Sequence, residues 1–280
     1  MKKRILRLIV LFCAVMLCAC GKDDVRPISD KKDTPNLTVR IYGDENGKMS
    51  IYELPDGKCM LLDCGAASGY SKLYRTLRES GIDKVDYLLI SSADERHAGS
   101  AVKLMQDIKV NNIYLPRFAS GGKMYSEITR AASRGGCTVN NVSGGDKIFD
   151  DDNLGITVVS PIDEQKGGGL SVMIIYADTQ IIAVGDNSSQ NENDLIESLG
   201  DYMKSDVMIV PDSGRTPASS SAFLQKISPS YAVIPSDGMG TSESVEKALE
   251  SVGAYALRTD VHGCVTLKSD GRTFTVNTEF

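Results

Sequence analysis

Imidazole is scarce in this chain. Its 280 residues hold two histidines, His97 and His262, beside 37 acidic and 31 basic side chains. A metal centre built chiefly from histidine is excluded, because such a centre draws several imidazoles together. The cysteines do not fill that gap, since none of their spacings matches a zinc knuckle. Phosphate-loop chemistry is missing too: Gly167-Gly168-Gly169 and Ser143-Gly144-Gly145 lack the strand-to-helix setting that such a loop needs, and they read as turns. Positive charge is in short supply, with a net charge of −6. That balance argues against tight binding to nucleic-acid backbones, which takes clustered Lys and Arg, although a small local site is compatible with it. An apolar run of membrane-spanning length is also absent, and the Leu8 to Leu17 stretch is too short to be a comfortable span.

That short run has a different meaning. Lys2, Lys3, Arg4 and Arg7 precede it, and it ends at Leu17-Cys18-Ala19-Cys20-Gly21, the charged start, apolar core and small-residue cleavage site of a secretory signal. The ending resembles a bacterial lipobox, in which the Cys after a small residue is lipidated and becomes the mature N-terminus. We therefore expect a signal peptide over 1–19, a lipidated Cys20 and polar tether over 20–36, and one domain over 37–280; an ordinary signal peptide or a single anchor helix is the alternative. Removing 1–19 leaves 27 basic and 37 acidic residues, a net charge of −10. The expected location is the extracytoplasmic face of a bacterial membrane. Of the cysteines left there, Cys59, Cys64, Cys137 and Cys264 allow three disulfide pairings. Cys59 and Cys64 flank one short strand and point to opposite faces, so they should not pair with each other. Cys264 with either of them is one option, and four buried thiols is another.

From Leu37 the pattern is strand-like. Leu37 to Tyr42, Met49 to Glu53 and Cys59 to Asp63 are short apolar or alternating runs separated by the turns Asp44-Glu45-Asn46-Gly47 and Pro55-Asp56-Gly57. Strands then alternate with helices through Val142: Ser71 to Ser80, His97 to Gln106 and Lys123 to Arg134 carry helical spacing. A second meander follows (Ile156 to Ser160, Leu170 to Tyr176, Gln180 to Val184), and a second alternating stretch, with helices near 192–200, 218–227 and 242–252, completes the chain. Both halves thus follow one plan. Two sheets packed face to face with helices outside, an αββα sandwich of the α/β class, accommodates them as one domain.

The stretch with most chemistry is Leu88-Leu89-Ile90-Ser91-Ser92-Ala93-Asp94-Glu95-Arg96-His97-Ala98-Gly99, which reads as buried strand, polar loop and helix. Together with Leu54-Pro55-Asp56-Gly57-Lys58-Cys59-Met60-Leu61-Leu62-Asp63-Cys64-Gly65, with Gly81 to Ile90, with Ile182-Ala183-Val184-Gly185-Asp186, with Tyr231-Ala232-Val233-Ile234 and with Arg258-Thr259-Asp260, it resembles the metallo-β-lactamase fold. The likeness is greatest to the soluble domain of ComEC-type DNA-uptake competence proteins. It covers essentially 37–276.

The resemblance implies a metal loop reading Thr-His-x-His-x-Asp-His-x-Gly-Gly. Here the His, His, Asp and His positions fall on Ser92, Asp94, Arg96 and His97. Asp186 keeps the bridging carboxylate; the later His-His-Gly-Ser segment reads Asp212-Ser213-Gly214-Arg215, and the final Gly-His-Pro segment has no His near Gly240. A conventional dinuclear zinc site is not expected. At most Asp94, His97, Asp186 and Asp212 converge as an oxygen-rich set, suited to one Mg²⁺, Mn²⁺ or Ca²⁺ more than to Zn²⁺. The favoured expectation is that no cofactor binds and that Arg96 fills the metal space, neutralising Asp186, Asp94 or Asp212. A serine nucleophile such as Ser213 would need His97 as its base. The functional expectation is a lipid-anchored binding or accessory module without hydrolase chemistry, its partners being the membrane and an unidentified protein or small molecule. The alternative is a phosphodiester-type hydrolase on a reduced metal site. Nucleic acid is a partner by resemblance alone, and the charge counts against it.

Overall fold

A computed structural model of the chain describes residues 35–163, 168–186 and 189–280. The signal, Cys20 and most of the tether lie outside the described residues. The described part is an αββα sandwich of two mixed sheets. The first has eight strands: β1 (Leu37–Asp44), β2 (Gly47–Glu53), β3 (Cys59–Leu62), β4 (Lys84–Leu89), β5 (Lys109–Pro116) and β6 (Thr138–Val142), with β14 (Val265–Ser269) and β15 (Phe274–Thr278) added beside β1. The second has seven: β7 (Lys147–Asp150), β8 (Leu154–Ser160), β9 (Ser171–Tyr176), β10 (Thr179–Ala183), β11 (Val207–Ile209), β12 (Tyr231–Ile234) and β13 (Tyr255–Arg258). In each sheet an antiparallel meander passes into a parallel run, at β3–β4 in the first and at β10–β11 in the second. The repeated plan seen in the sequence is thus the repeated plan of the sheets.

Side-chain alternation builds the layers. Strand side chains alternate faces, so Leu89 joins the apolar layer between the sheets, while Leu88 and Ile90 face the helices outside the first sheet. In the second sheet Ile181 and Ala183 point inward and Ile182 and Val184 outward. Leu37, Val39 and Ile41 of β1 all enter the central layer. Burying a side chain of this size contributes about 1.5–3 kcal/mol, and the doubly covered strands are accordingly apolar on both faces.

Helices α1 (Tyr70–Glu79), α2 (Glu95–Ala98), α3 (Ala101–Asp107) and α4 (Lys123–Gly135) belong to the first half. Helices α5 (Ser189–Leu199), α6 (Ser221–Ile227), α7 (Glu243–Ser251) and α8 (Thr259–His262) belong to the second. The helix expected over 97–106 is two helices, broken at Gly99-Ser100. A β-carbon on Gly99 would lie 2.6 Å from the Ala67 backbone nitrogen, so the chain passes here only with glycine. Helix α6 starts at Ser221 rather than 218, because Ser220 caps it through Phe223 N. Strand β7 was not evident in the sequence: its Lys-Ile-Phe-Asp run is short and half polar. Among the described residues no helix is long and apolar enough to cross a membrane.

Candidate functional site

The chemistry-bearing residues gather where strands of both sheets end. Asp63 follows β3, the 91–97 segment follows β4, Asp186 follows β10, Asp212 to Arg215 follow β11 and Asp237 follows β12. Carboxyl ends of parallel strands are where open α/β sheets place their ligands, since the loops there are free to vary. Lys48 reaches the same corner from the start of β2.

Asp94 organises the first loop. It is the N-cap of α2, its carboxylate accepting from the backbone N–H of Arg96 at 2.9 Å and of His97 at 3.3 Å. The same carboxylate lies 2.7 and 2.9 Å from His97 Nδ1, and His97 Nε2 lies 3.2 Å from Asp186 Oδ2. The imidazole is buried and spans two carboxylates. Burial disfavours its charged form, but Asp63, Asp186 and Asp94 outweigh that and lift its pKa to about 9. The raised pKa favours the imidazolium at neutral pH, with Nδ1 hydrogen-bonded to Asp94 and Nε2 within ion-pair distance of Asp186.

The other oxygen of Asp186 faces the Lys48 ammonium, with Nζ 2.8 Å from Oδ1. The Asp212 backbone N–H also donates to Oδ1, at 3.2 Å. Burial would raise the Asp186 carboxyl, but Lys48 and His97 together hold it well below the usual carboxylate range. Lys48 is held above its ordinary value although burial opposes this, through Asp186, Asp63 and Asp212. Beneath lies Asp63, fully enclosed; burial raises its pKa against the pull of His97 and Lys48, and it accepts from the backbone N–H and the hydroxyl of Ser91, each at 2.7 Å. Asp63, Asp212 and Ser213 all have positive φ. Backbone of that kind persists where its surroundings over-determine it.

Of the residues expected here, Asp94, His97 and Asp186 form one continuous chain of contacts, and Asp212 joins through its backbone. Arg96 borders the same cavity as His97 and Asp186, but its guanidinium is aimed at Asp237 rather than at Asp186, Asp94 or Asp212. Its Nη2 lies 3.1 Å from Asp237 Oδ2, while Arg215 Nη1 lies 2.8 Å from Asp237 Oδ1. The reason is helical: adjacent residues of a helix point about 100° apart, so with His97 turned onto Asp186 its neighbour is aimed elsewhere. The Arg215 hydrogen bond, against the effect of burial, holds Asp237 well below the usual carboxylate range. A serine nucleophile has no base in this arrangement, because both nitrogens of His97 are spent on carboxylates. Among the described residues, Cys59, Cys64, Cys137 and Cys264 are free thiols, the first three buried and Cys264 partly so. His262 accepts from the Arg258 backbone N–H at 3.2 Å and lies in α8.

Three residues of the corner were not singled out in the sequence as site groups: Lys48, Asp63 and Asp237. Asp63 and Asp237 follow strand ends, which is a usable signal. Lys48 has none, since its partner is 138 residues away. A cavity of about 100 Å³ opens beside these groups, bordered by Lys48, Arg96, His97, Ser213 and Arg215; a larger cleft of about 600 Å³ adjoins, and Asp44 and Asp237 border both.

A sandwich of this layering, with a strand-end site shared by its two sheets, defines a class of protein by geometry alone. The chain belongs to the metallo-beta-lactamase superfamily, whose family model matches residues 42–238. It is 25% identical over 219 residues to ComE operon protein 3 of Bacillus subtilis, covering 74% of this chain and 28% of that protein. It is 24% identical over 259 residues to competence protein ComA of Neisseria gonorrhoeae, covering 90% of this chain and 35% of that one. The matches thus span about a third of those relatives' length. Among solved structures, the metallo-beta-lactamase fold protein YhfI of Bacillus subtilis superposes with a TM-score of 0.58 at 12% identity, over 79% of this chain and 95% of that one. CmlA, a diiron beta-hydroxylase of Streptomyces venezuelae, does so at 0.52 and 12% identity, over 83% and 54%.

The fold family includes metal-binding members, as the diiron protein illustrates. The donor set of this corner does not fit a divalent ion. With His97 held between Asp94 and Asp186, an ion would have to displace its ring protons, and the Lys48 ammonium already occupies the Asp186 oxygen that would meet the ion. Among the described residues, no group of three or more His, Cys, Asp or Glu is placed to hold a metal.

Proposed function

We propose that the protein is a non-catalytic binding or accessory module of this fold, carried on the extracytoplasmic face of a bacterial membrane by a lipid on Cys20. The observation that supports this reading is the state of His97. With Nδ1 on Asp94 and Nε2 beside Asp186, the single imidazole of the corner is engaged by carboxylates at both nitrogens and is not free to act as a general base. Binding then falls to the cleft next to the corner, whose polar and charged walls suit a polar small molecule or a protein segment. The competence relatives make nucleic acid a partner to test, and the net charge argues against it.

The test pairs metal analysis with turnover. Purified protein should carry no stoichiometric metal, show no shift in thermal midpoint with Mn²⁺, Mg²⁺ or Zn²⁺, and leave a chromogenic phosphodiester intact. Hydrolysis that disappears in Asp186→Ala would replace this reading with that of a phosphodiester hydrolase on a reduced, oxygen-rich site. Retention of membrane association and processing by Cys20→Ser would remove the lipid anchor. Single- and double-stranded DNA at low salt should give no shift in mobility.

A further inference from the structure

The corner has a cation of its own, delivered by a hairpin that has little freedom to withdraw it. Lys48 is the second residue of β2, directly after the β1–β2 turn. That turn is fastened on several sides. Asn46 O accepts from Ala66 N at 2.6 Å, Asn46 Oδ1 accepts from the Ser68 hydroxyl at 2.7 Å, and Asp44 Oδ2 meets Lys72 Nζ at 2.7 Å. Gly47 has φ +102, and a β-carbon on it would run into the Arg96 carbonyl oxygen, so the turn rests directly on α2. From this base the Lys48 side chain runs to Asp186 Oδ1, with the carboxylates of Asp63 and Asp212 also acting on it. A surface lysine that happened to find a partner would not have its backbone clamped beside the loop that carries His97.

We propose that the Lys48 ammonium is the resident cation of this corner, standing in for the divalent ion that other members of the fold hold and keeping such an ion out. The inference rests on the non-catalytic reading of the same corner. An ammonium N–H···O contact of 2.8 Å uses the Asp186 oxygen that a metal would approach to roughly 2.0–2.6 Å. The fixed positive charge then repels any ion brought within a few ångströms.

The experiment compares the wild-type protein with Lys48→Ala, Lys48→Met and Lys48→Arg. Metal content is measured after equilibration with Mn²⁺ or Zn²⁺ and removal of free ion, and the thermal midpoint is recorded with and without metal. Wild type and Lys48→Arg should retain no stoichiometric metal and give metal-independent midpoints. Lys48→Ala should melt about 5 °C lower, take up close to one equivalent of metal, and regain part of the loss when metal is added. Lys48→Met keeps the apolar stem and should behave likewise if the alanine variant does not fold. In the wild type, nitrogen-detected NMR should show a slowly exchanging Lys48 ammonium signal that vanishes in Lys48→Arg. Folded Lys48→Ala or Lys48→Met that takes up no metal overturns the inference and leaves the non-catalytic reading standing, as does a missing ammonium signal. One equivalent of metal on the wild type, with phosphodiester turnover, overturns both.

Discussion

Two carboxylates at this end of the sandwich each sit between two cations, and they are built in opposite ways. Asp186 lies between Lys48 and His97, Asp237 between Arg96 and Arg215. In the first group the cations are enclosed, with side chains 19% and 6% exposed, and the carboxylate is 35% exposed. In the second the carboxylate is 3% exposed and the guanidiniums are 47% and 33% exposed. The same charge pattern therefore carries different dependencies. Enclosed cations need their carboxylate because water cannot replace it, whereas exposed guanidiniums can be hydrated when theirs is lost.

The largest effect expected from this contrast is that of Asp186→Ala. It takes from two enclosed positive charges the carboxylate they share, leaving Asp94 and Asp63 nearby, and should cost about 3 kcal/mol or slightly more in urea unfolding, the lower end of the range for breaking a buried pair by removing one partner. Next comes the pH dependence of His97, whose pKa in the folded protein lies above the unfolded value of 6.5. Its contribution to stability is complete below that pH and is lost as pH rises through about 9. The shift corresponds to roughly 3 kcal/mol. An NMR titration of the ring should show a midpoint near 9 in the folded protein, and a midpoint at the unperturbed value would place the imidazole outside the carboxylates. Asp237→Ala should cost about 1–2 kcal/mol, since it removes charge-assisted hydrogen bonds but leaves cations that water can reach. Should it prove as damaging as Asp186→Ala, exposure is not what separates the two groups. Arg96→Ala should have the smallest effect, under about 1 kcal/mol, because Arg215 still holds Asp237 at 2.8 Å.

The same contrast separates what the order of residues reveals from what only folding decides. Layering is legible because it is a local property: Leu88, Leu89 and Ile90 must alternate between faces whatever lies across from them. The turns at Asp44 to Gly47 and at Pro55 to Gly57 announce themselves by composition, and Asp94, His97, Asp186 and Asp212 stand out because loops at strand ends can be recognised in sequence. What is not legible is which cation meets which carboxylate. Lys48 and Asp186 are joined only when the first hairpin folds over the end of the second sheet's meander. Arg96 meets Asp237, none of the three acids expected of it, because one residue along a short helix changes its direction by about 100°. The return of β14 to lie beside β1 is hidden for a related reason, since Val265 to Ser269 reads simply as a strand and carries no mark of the sheet it joins.

That return has a mechanical consequence. Strand β1 is not an edge: it pairs antiparallel with β14 over Leu37 to Ile41 and with β2 over Thr38 to Asp44. The Tyr176 hydroxyl, from the other sheet, donates to the Pro35 carbonyl at its entrance. Pulled along its own axis from residue 35, β1 cannot peel away one hydrogen bond at a time. It has to shear two ladders together, so the domain is reinforced at the end where the chain enters it.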